Sequence, residues 1–387
     1  MLFAPPPITP ADEYVLSMID GLRHRLRHFV AEKRRWGGLL RRVALARSIR
    51  GSNSIEGFHV SLEDAFAALD EDEQPLTATD AAWAAVTGYR DAMTYVLQLA
   101  DDEDFHYDES LIRGLHFMMQ SYDLSKWPGR YRKSEIYVID EDKERTVYVG
   151  PDPEGVPKLM TEFAASLNDA RASDCPAIIK AAMAHLNLVM IHPFKDGNGR
   201  MARCLQTLVL AREGVLAPEF CSIEEYLGRN ELDYYAVLLE VGQGSWQPER
   251  DAAPWVRFCL TAHYRQALTV LRRVQESEHF WKVAEHEITS RRLPERMIPA
   301  LFYTLSGHQL RNATYRRIDT DISQNLASRD LAEMVNSGIL EAHGEKRARY
   351  YIPVERLRER HAAIRQDVRT RIRVDEDPYQ TFEATTR

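Results

Sequence analysis

No stretch of the 387 residues approaches the roughly 18 consecutive apolar residues of a membrane helix. Cysteine is scarce. Cys175, Cys204, Cys221 and Cys259 are widely spaced and form no CxxC pair, so neither a disulfide frame nor a zinc site is expected. The opening residues, MLFAPPPITPADEY, hold no Lys or Arg and are broken by prolines, which does not read as a signal peptide. A Walker phosphate loop, GxxxxGK[ST], is absent, and so are internal repeats and low-complexity tracts. Positive charge is in deficit. With 50 Lys plus Arg against 58 Asp plus Glu the formal charge is -8, so the surface as a whole is not built to attract nucleic acid. A cytoplasmic, soluble protein is the expectation. Its length suggests two or three domains.

Most of the chain reads as helix. Leu, Arg and Ala recur at helical spacing over residues 11–50, and Ser61 with Asp64 three residues on forms an approximate capping box. Two short β-prone runs, Ile136–Ile139 and Thr146–Val149, interrupt the helices and predict an inserted β-hairpin. Helices resume near Lys158 and Pro176. Residues 295–306, 308–318 and 323–338 read as three short helices, and a small hairpin turning near Gly344 follows, which is the outline of a winged helix-turn-helix. Between Gly307 and Arg373 there are 14 Lys plus Arg against 9 Asp plus Glu, a local charge of +5. The expected organisation is a helical region over 1–104, a central domain over 105–275, a winged helix-turn-helix over 276–373 and a disordered tail over 374–387.

The densest chemistry lies in HPFKDGNGRMAR, His192 to Arg203. An apolar helical face (Ile178, Ala182, Met183, Leu186, Val189) leads into it, and Pro193 should end that helix. A second helix should begin near Asn198 and run to Gly214. The loop therefore feeds a helix N-terminus, where free N–H groups and the helix dipole favour an anion. Gly197 and Gly199 allow backbone to approach a ligand closely. Arg200 and Arg203 share one helical face and suit a polyphosphate. Asp196 is one carboxylate beside a phosphate site, the usual setting for Mg²⁺. His192 is a natural general base near neutral pH. Singly, a DGNG turn, a His beside Pro and two helical arginines are ordinary surface features. Together, in this order, they describe nucleotidyl or phosphoryl transfer to a hydroxyl.

From His192 through Arg203 the stretch resembles, without a gap, the Fic-domain signature HPFx[D/E]GNGRxxR. The resemblance covers roughly residues 105–275. It implies a mainly α fold with a helical core and a β-hairpin flap, and the transfer of AMP from ATP to a Ser, Thr or Tyr hydroxyl of a protein. By position, it implies that His192 deprotonates the hydroxyl and that Asp196 holds Mg²⁺. Gly197, Asn198 and Gly199 would form the anion cradle, Arg200 and Arg203 would hold phosphates, and Phe194 would pack in the core. Tyr235, in DYYAVLL, would lie beside the adenine, although a core aromatic would look the same.

SNSIEGFHV, Ser52 to Val60, alone would be a helix C-terminus capped by Gly57. It also resembles the family's inhibitory motif [S/T]xxxE[G/N], met by Ser52, Glu56 and Gly57. That likeness implies that Glu56 pairs bidentately with Arg203 and withholds it from the γ-phosphate. In some such proteins the same glutamate serves removal of AMP. Two other functions stay open at this stage: a Fic-type phosphotransferase, and a DNA-binding regulator with a vestigial Fic domain. The expected partners are ATP, a target protein, the chain itself as substrate or as a homodimer, and DNA over 280–373 through Arg329, Arg347 and Arg349.

Overall fold

The computed structural model describes residues 1–31, 34–70, 75, 77–140, 145–168, 175–214, 216–318, 321–346 and 349–386. The chain divides into two compact units. One comprises Met1–Arg27, Ala44–Ala267 and Glu376–Arg387, and the other His28–Val43 with Leu268–Asp375.

The helices that lead to the first unit's centre are α1 (Pro10–Ala31), α2 (Gly37–Ser54), α3 (Leu62–Ala67), α4 (Asp80–Leu99) and α5 (Glu109–Gln120). Short polar caps set their starts. Ser61 accepts from Asp64 N at the head of α3, Thr79 accepts from Ala82 N before α4, and Asp108 accepts from Leu111 N before α5. The hairpin follows as β1 (Tyr137–Asp140) and β2 (Arg145–Val149), then α6 (Val156–Leu167), α7 (Ala177–Ile191) and α8 (Asn198–Ala211). Next come α9 (Pro218–Cys221), α10 (Glu224–Arg229), α11 (Glu231–Gly242) and a two-residue strand β3 (Gly244–Ser245). Strand β2 lies in the middle of this sheet, antiparallel to β1 and parallel to β3. The outer edge of β1 is therefore unpaired among the described residues.

The core is built on α7 and α8, which pack against each other, with α4 and α5 against α8. Ile178, Ala182, Met183 and Leu186 of α7 are buried, as are Met201, Leu205, Leu208 and Val209 of α8. The N-terminal strap closes over α7, since Phe3 N donates to Asn187 Oδ1 at 2.9 Å and Asn187 Nδ2 donates to Phe3 O at 3.1 Å.

The second unit takes the C-terminal part of the long α12 (Ala253–Ser290), then α13 (Ile298–Leu305), α14 (Asn312–Ile318) and α15 (Gln324–Asn336). An antiparallel hairpin follows, β4 (Leu340–His343) with β5 (Tyr350–Pro353), and then α16 (Glu355–Arg371). Helix α14 begins four residues later than its periodicity suggests because Leu310 exchanges both backbone hydrogen bonds with Tyr351, at 3.0 and 2.8 Å.

The expectation of a disordered tail does not hold. Residues Pro378–Thr386 form α17. Asp377 Oδ1 accepts from Tyr379 N at 3.0 Å at its start, Tyr379 OH donates to Asp12 Oδ1 at 2.8 Å, and Phe382 packs on Tyr14 with ring centroids 5.5 Å apart. Two aromatic side chains three residues apart supply the anchorage that the charged composition of this stretch conceals.

Candidate active site

Helix α7 ends at His192, whose backbone is left-handed with φ 51° and ψ 57°. A non-glycine residue in this region is strained and persists only where its surroundings hold it. The holding residue is Arg132, which is buried. Its Nε donates to His192 O at 2.8 Å, its Nη1 to Ser134 O at 2.9 Å and its Nη2 to Pro151 O at 2.6 Å. Arg132 N also donates to Pro193 O at 2.9 Å. One guanidinium thus ties the end of α7 to both ends of the β1–β2 hairpin. Gly150 makes room for it, because a Cβ there would lie 3.1 Å from Arg132 Nη2 and 2.8 Å from Ile136 Cγ2.

The His192 ring is half-buried. Its Nδ1 lies 3.1 Å from Val189 O, so Nδ1 carries the proton as donor and Nε2 is left as the bare acceptor. Burial lowers its pKa from the ordinary value, partly offset by the Val189 hydrogen bond and by Glu56. The ring is therefore neutral at pH 7, the state a base needs.

The loop after His192 is held from within and from below. Asn198 closes it, accepting from Phe194 N at 2.8 Å and donating to Phe194 O at 2.9 Å. The Asn198 side chain is thus a loop brace, and only its backbone can face a ligand. Gly197 takes φ 76°, and its N–H donates to Asp196 Oδ1 at 2.7 Å. Beneath lies His116 of α5, stacked on Phe194 with centroids 3.7 Å apart and planes at 4°. Its Nδ1 accepts from Gly129 N at 2.9 Å and its Nε2 donates to Asp196 O at 2.9 Å. Burial pulls its pKa down to about 4, so this tautomer is fixed at neutral pH. Asp196 Oδ2 points outward and meets Lys126 Nζ at 3.2 Å.

Both arginines are fully buried, and both have guanidinium N–H groups without a partner among the described residues: Nε and Nη1 of Arg200, and Nη1 of Arg203. Buried donors are nearly always satisfied, by protein, ordered water or a ligand. The other contacts hold the forks in place. Arg200 Nη2 donates to Gln120 Oε1 at 2.6 Å and to Tyr122 OH at 3.3 Å, and Phe58 lies across the guanidinium at 5.2 Å. Below Arg203 runs a buried polar chain. Tyr234 OH donates to His185 Nε2 at 2.9 Å, and His185 Nδ1 donates to Gln206 Oε1 at 2.6 Å. Burial takes the His185 pKa down to about 3, so the ring adds no positive charge beneath Arg203.

The end of α2 meets this cluster. Arg203 donates through Nε to Ser52 Oγ at 2.8 Å, through Nη2 to Ser52 O at 2.9 Å and through Nη2 to Glu56 Oε1 at 2.7 Å. The ion pair is a single charge-assisted hydrogen bond and not the bidentate one expected, because Ser52 takes Nε and shares Nη2. Burial disfavours the Arg203 charge, but Glu56, then Tyr234 and Tyr89, more than offset it and raise the pKa. Glu56 also covers the head of α8, since a Cβ on Gly199 would lie 2.3 Å from its Oε1. Capping and pairing coexist here. Gly57 takes φ 79°, and Phe58 N donates to Asn53 O while Gly57 N donates to Ser54 O, a Schellman closure. Glycine also seats α2. A Cβ on Gly51 would be 2.5 Å from Glu224 O, and one on Gly228 would be 2.7 Å from Gly51 O, so the backbones of α2 and α10 touch. Tyr235, the suggested adenine contact, is partly exposed and donates to Ile55 O at 3.1 Å.

Sequence reasoning missed Arg132, His116, Gln120, Phe58 and the His185–Gln206 pair. A histidine on the mostly apolar buried face of ESLIRGLHFMMQ was the one available signal, for His116.

The fold and the site together define a class: a helical protein that sets a helix start with two buried arginines beside a neutral histidine, with a two-stranded flap tied to the same helix end. Residues 106–210 match the model described as the Fic/DOC family, and the chain carries a Fic domain. It is 29% identical over 263 residues to a protein named protein adenylyltransferase Fic from Nematostella vectensis, covering 65% of this chain and 55% of that one. It is 35% identical over 130 residues to the protein of the same name from Aedes aegypti, covering 34% and 22%. The chain thus spans about half or less of the curated relatives it matches. Among solved structures, a Fic family protein from Desulfovibrio desulfuricans superposes with a TM-score of 0.59 at 21% identity, over 91% of this chain and 98% of that one. Fic-1 from C. elegans superposes with a TM-score of 0.54 at 24% identity, over 67% and 71%. At these identities the likeness is one of fold. No helix among the described residues is long and apolar enough to cross a membrane.

Proposed function

We propose that the protein is an adenylyltransferase that moves AMP from ATP to a hydroxyl of a protein, and that Glu56 restrains it. The observation that carries this reading is the group of unpartnered, buried N–H donors on Arg200 and Arg203, next to a histidine whose Nε2 is bare. In the reaction the target hydroxyl oxygen attacks the α-phosphorus and the bond to pyrophosphate breaks. His192 Nε2 takes the hydroxyl proton, and pyrophosphate leaves with the electron pair. Arg200, the backbone N–H groups at the head of α8 and Arg203, once released, neutralise the phosphate oxygens. The free edge of β1 suits an extended segment of the target, which would add as a strand and bring its hydroxyl to His192.

Asp196 Oδ2 is a hard oxygen at the mouth of the site, paired with Lys126 Nζ at 3.2 Å. That donor set fits Mg²⁺ held by one carboxylate, with phosphates and waters completing its shell. When bound, the ion would screen phosphate charge. Tyr235 is near enough to the inhibitory segment to face the nucleoside once that segment moves. Four free thiols, three of them buried, suit a reducing compartment, which supports a cytoplasmic enzyme.

The deciding experiment incubates the Glu56→Gln protein with ATP labelled at either the α- or the γ-phosphate. Protein should be labelled from the α position only. Label from the γ position would make the protein a phosphotransferase.

In the second unit, the order of α13, α14, α15 and the β4–β5 hairpin supports a winged helix-turn-helix over residues 298–353. Helix α15 packs on α14 and on β4, as a second helix backed by a wing does.

A further inference from the structure

The site described above takes no residue from 298–353. The inner face of α15 is fixed by a buried acid. Asp330 is fully buried and takes Arg296 Nε and Nη2, each at 2.8 Å, and it accepts from Tyr315 OH at 3.1 Å. At the start of the helix Asn312 Nδ2 donates to Gln324 O at 3.1 Å and to Ser328 Oγ at 2.9 Å, which locks α14 onto α15. With those contacts made, Gln324, Asn325, Ser328 and Arg329 are exposed. Across these first turns no outward acid interrupts them. The acid at position 330 is turned inward, and the first exposed acid on the helix is Glu333.

Cations of this unit differ in their pairing. Arg356 is neutralised by Glu287 at 3.0 and 2.7 Å, and Arg358 by Glu341 at 3.1 Å. Arg316 of α14, Arg329 of α15, and Lys346 and Arg349 of the hairpin are exposed and have no ion-pair partner among the described residues. Arg347, expected as a wing contact, lies outside the described residues. Glu345 stands beside Lys346, so α15 is the stronger element and the wing the weaker.

We propose that this unit binds duplex DNA, with α15 in the major groove. The four exposed side chains are the kinds that read base edges. Asn and Gln amides pair with adenine, the Arg fork pairs with guanine, and Ser accommodates either. Arg316, Lys346 and Arg349 take backbone phosphates, which a local excess of cations inside an acidic chain favours. The proposal rests on the winged-helix reading of residues 298–353. It is independent of adenylyl transfer.

The test uses the full chain and a fluorescent random-sequence duplex of about three helical turns, followed by anisotropy. Binding should be measurable at low salt and fall with a log–log slope of about −3, the value for three phosphate contacts. Arg316→Ala should flatten that slope by about one. Selection from a randomised duplex pool should return a preferred site for the wild type. Asn325→Ala and Arg329→Ala should each weaken binding to that site roughly tenfold to a hundredfold and relax its sequence. Their melting temperatures should stay at the wild-type value, because both positions are exposed. No binding to any duplex at low salt would overturn the proposal and assign the surface to a protein partner. So would binding that both variants retain unchanged. Absence of AMP transfer in the same preparation would count against the enzymatic reading alone.

Discussion

The loop from His192 to Arg203 and the segment from Gly51 to Phe58 meet at one arginine, yet they are held in different ways. The loop is braced within itself by Asn198 and from outside by Arg132 and His116, and most of its side chains are buried. The segment is held at its tip by Glu56 on Arg203, Phe58 over Arg200 and the hydroxyl of Tyr235, with Gly57 and His59 exposed. His192 and the loop backbone are held by contacts the segment does not make, whereas the Arg203 guanidinium takes its hydrogen bonds from Ser52 and Glu56 of the segment.

The largest effect should come from the loop. In a Glu56→Gln background, His192→Ala should lower AMP transfer roughly 10²–10⁴-fold. ATP affinity measured by calorimetry should be nearly unchanged, since the base acts on the hydroxyl. Transfer at the background rate would remove His192 from the mechanism and erase the distinction between the two regions.

Next in size is release of the segment. Glu56→Gly and Glu56→Gln should both raise AMP incorporation well above wild type, because Arg203 then has only Ser52 to hold it. The glycine variant should also be somewhat less stable than the glutamine one, because glycine has more backbone freedom to lose in the turn. Were both variants as inactive as the wild type, Glu56 would be only part of a helix cap.

A subtler way to loosen the same segment leaves Glu56 intact. A methyl group at Gly228 would collide with Gly51 O and Cα, at 2.7 and 2.8 Å, both backbone atoms. Helix α2 must shift, and overpacking of this kind costs about 1–3 kcal/mol. Gly228→Ala should therefore activate partially, and should add nothing in the Glu56→Gly background. A drop in melting temperature with no gain in AMP incorporation would show that the glycine contact is only structural.

The smallest effect concerns pH. Burial lowers the His192 pKa, so its neutral, basic form persists below the ordinary titration range and is lost only as pH falls through the depressed value. An unshifted histidine would be about half protonated at pH 6.5. Transfer by Glu56→Gln, assayed from pH 8 downward, should retain more than half its plateau at that pH. A midpoint at or above 6.5 would mean the ring is solvated.

Much of this arrangement is legible in the sequence because it is local. Pro193, Gly197 and the spacing of Arg200 and Arg203 specify a helix end, a turn and a shared face within twelve residues. The Glu56 motif is legible for the same reason, although its partner lies 147 positions away. What could not be read is the set of supports brought in from distant elements. Arg132 looks like one more charge in RYRKSE, and nothing in its neighbourhood announces that it reaches His192 O across 60 positions. Asn198 belongs to the motif, but its side-chain role is set by geometry alone. The terminal helix was hidden because an acidic, polar stretch was weighed by composition, while two aromatic anchors determine its fate.

The Asn198 brace also bears on chemical ageing. Asparagine followed by glycine is the pair most prone to deamidation, in which the following backbone nitrogen attacks the side-chain amide. In the fold, Asn198 opens a helix with both ends of its amide held by Phe194, 2.8 and 2.9 Å away, so the attack cannot reach its geometry. An unfolded or heat-stressed chain has no such protection. Conversion to aspartate would replace the donor to Phe194 O with a negative charge at the head of an anion site. For Asn198 that protection lasts as long as the loop stays closed.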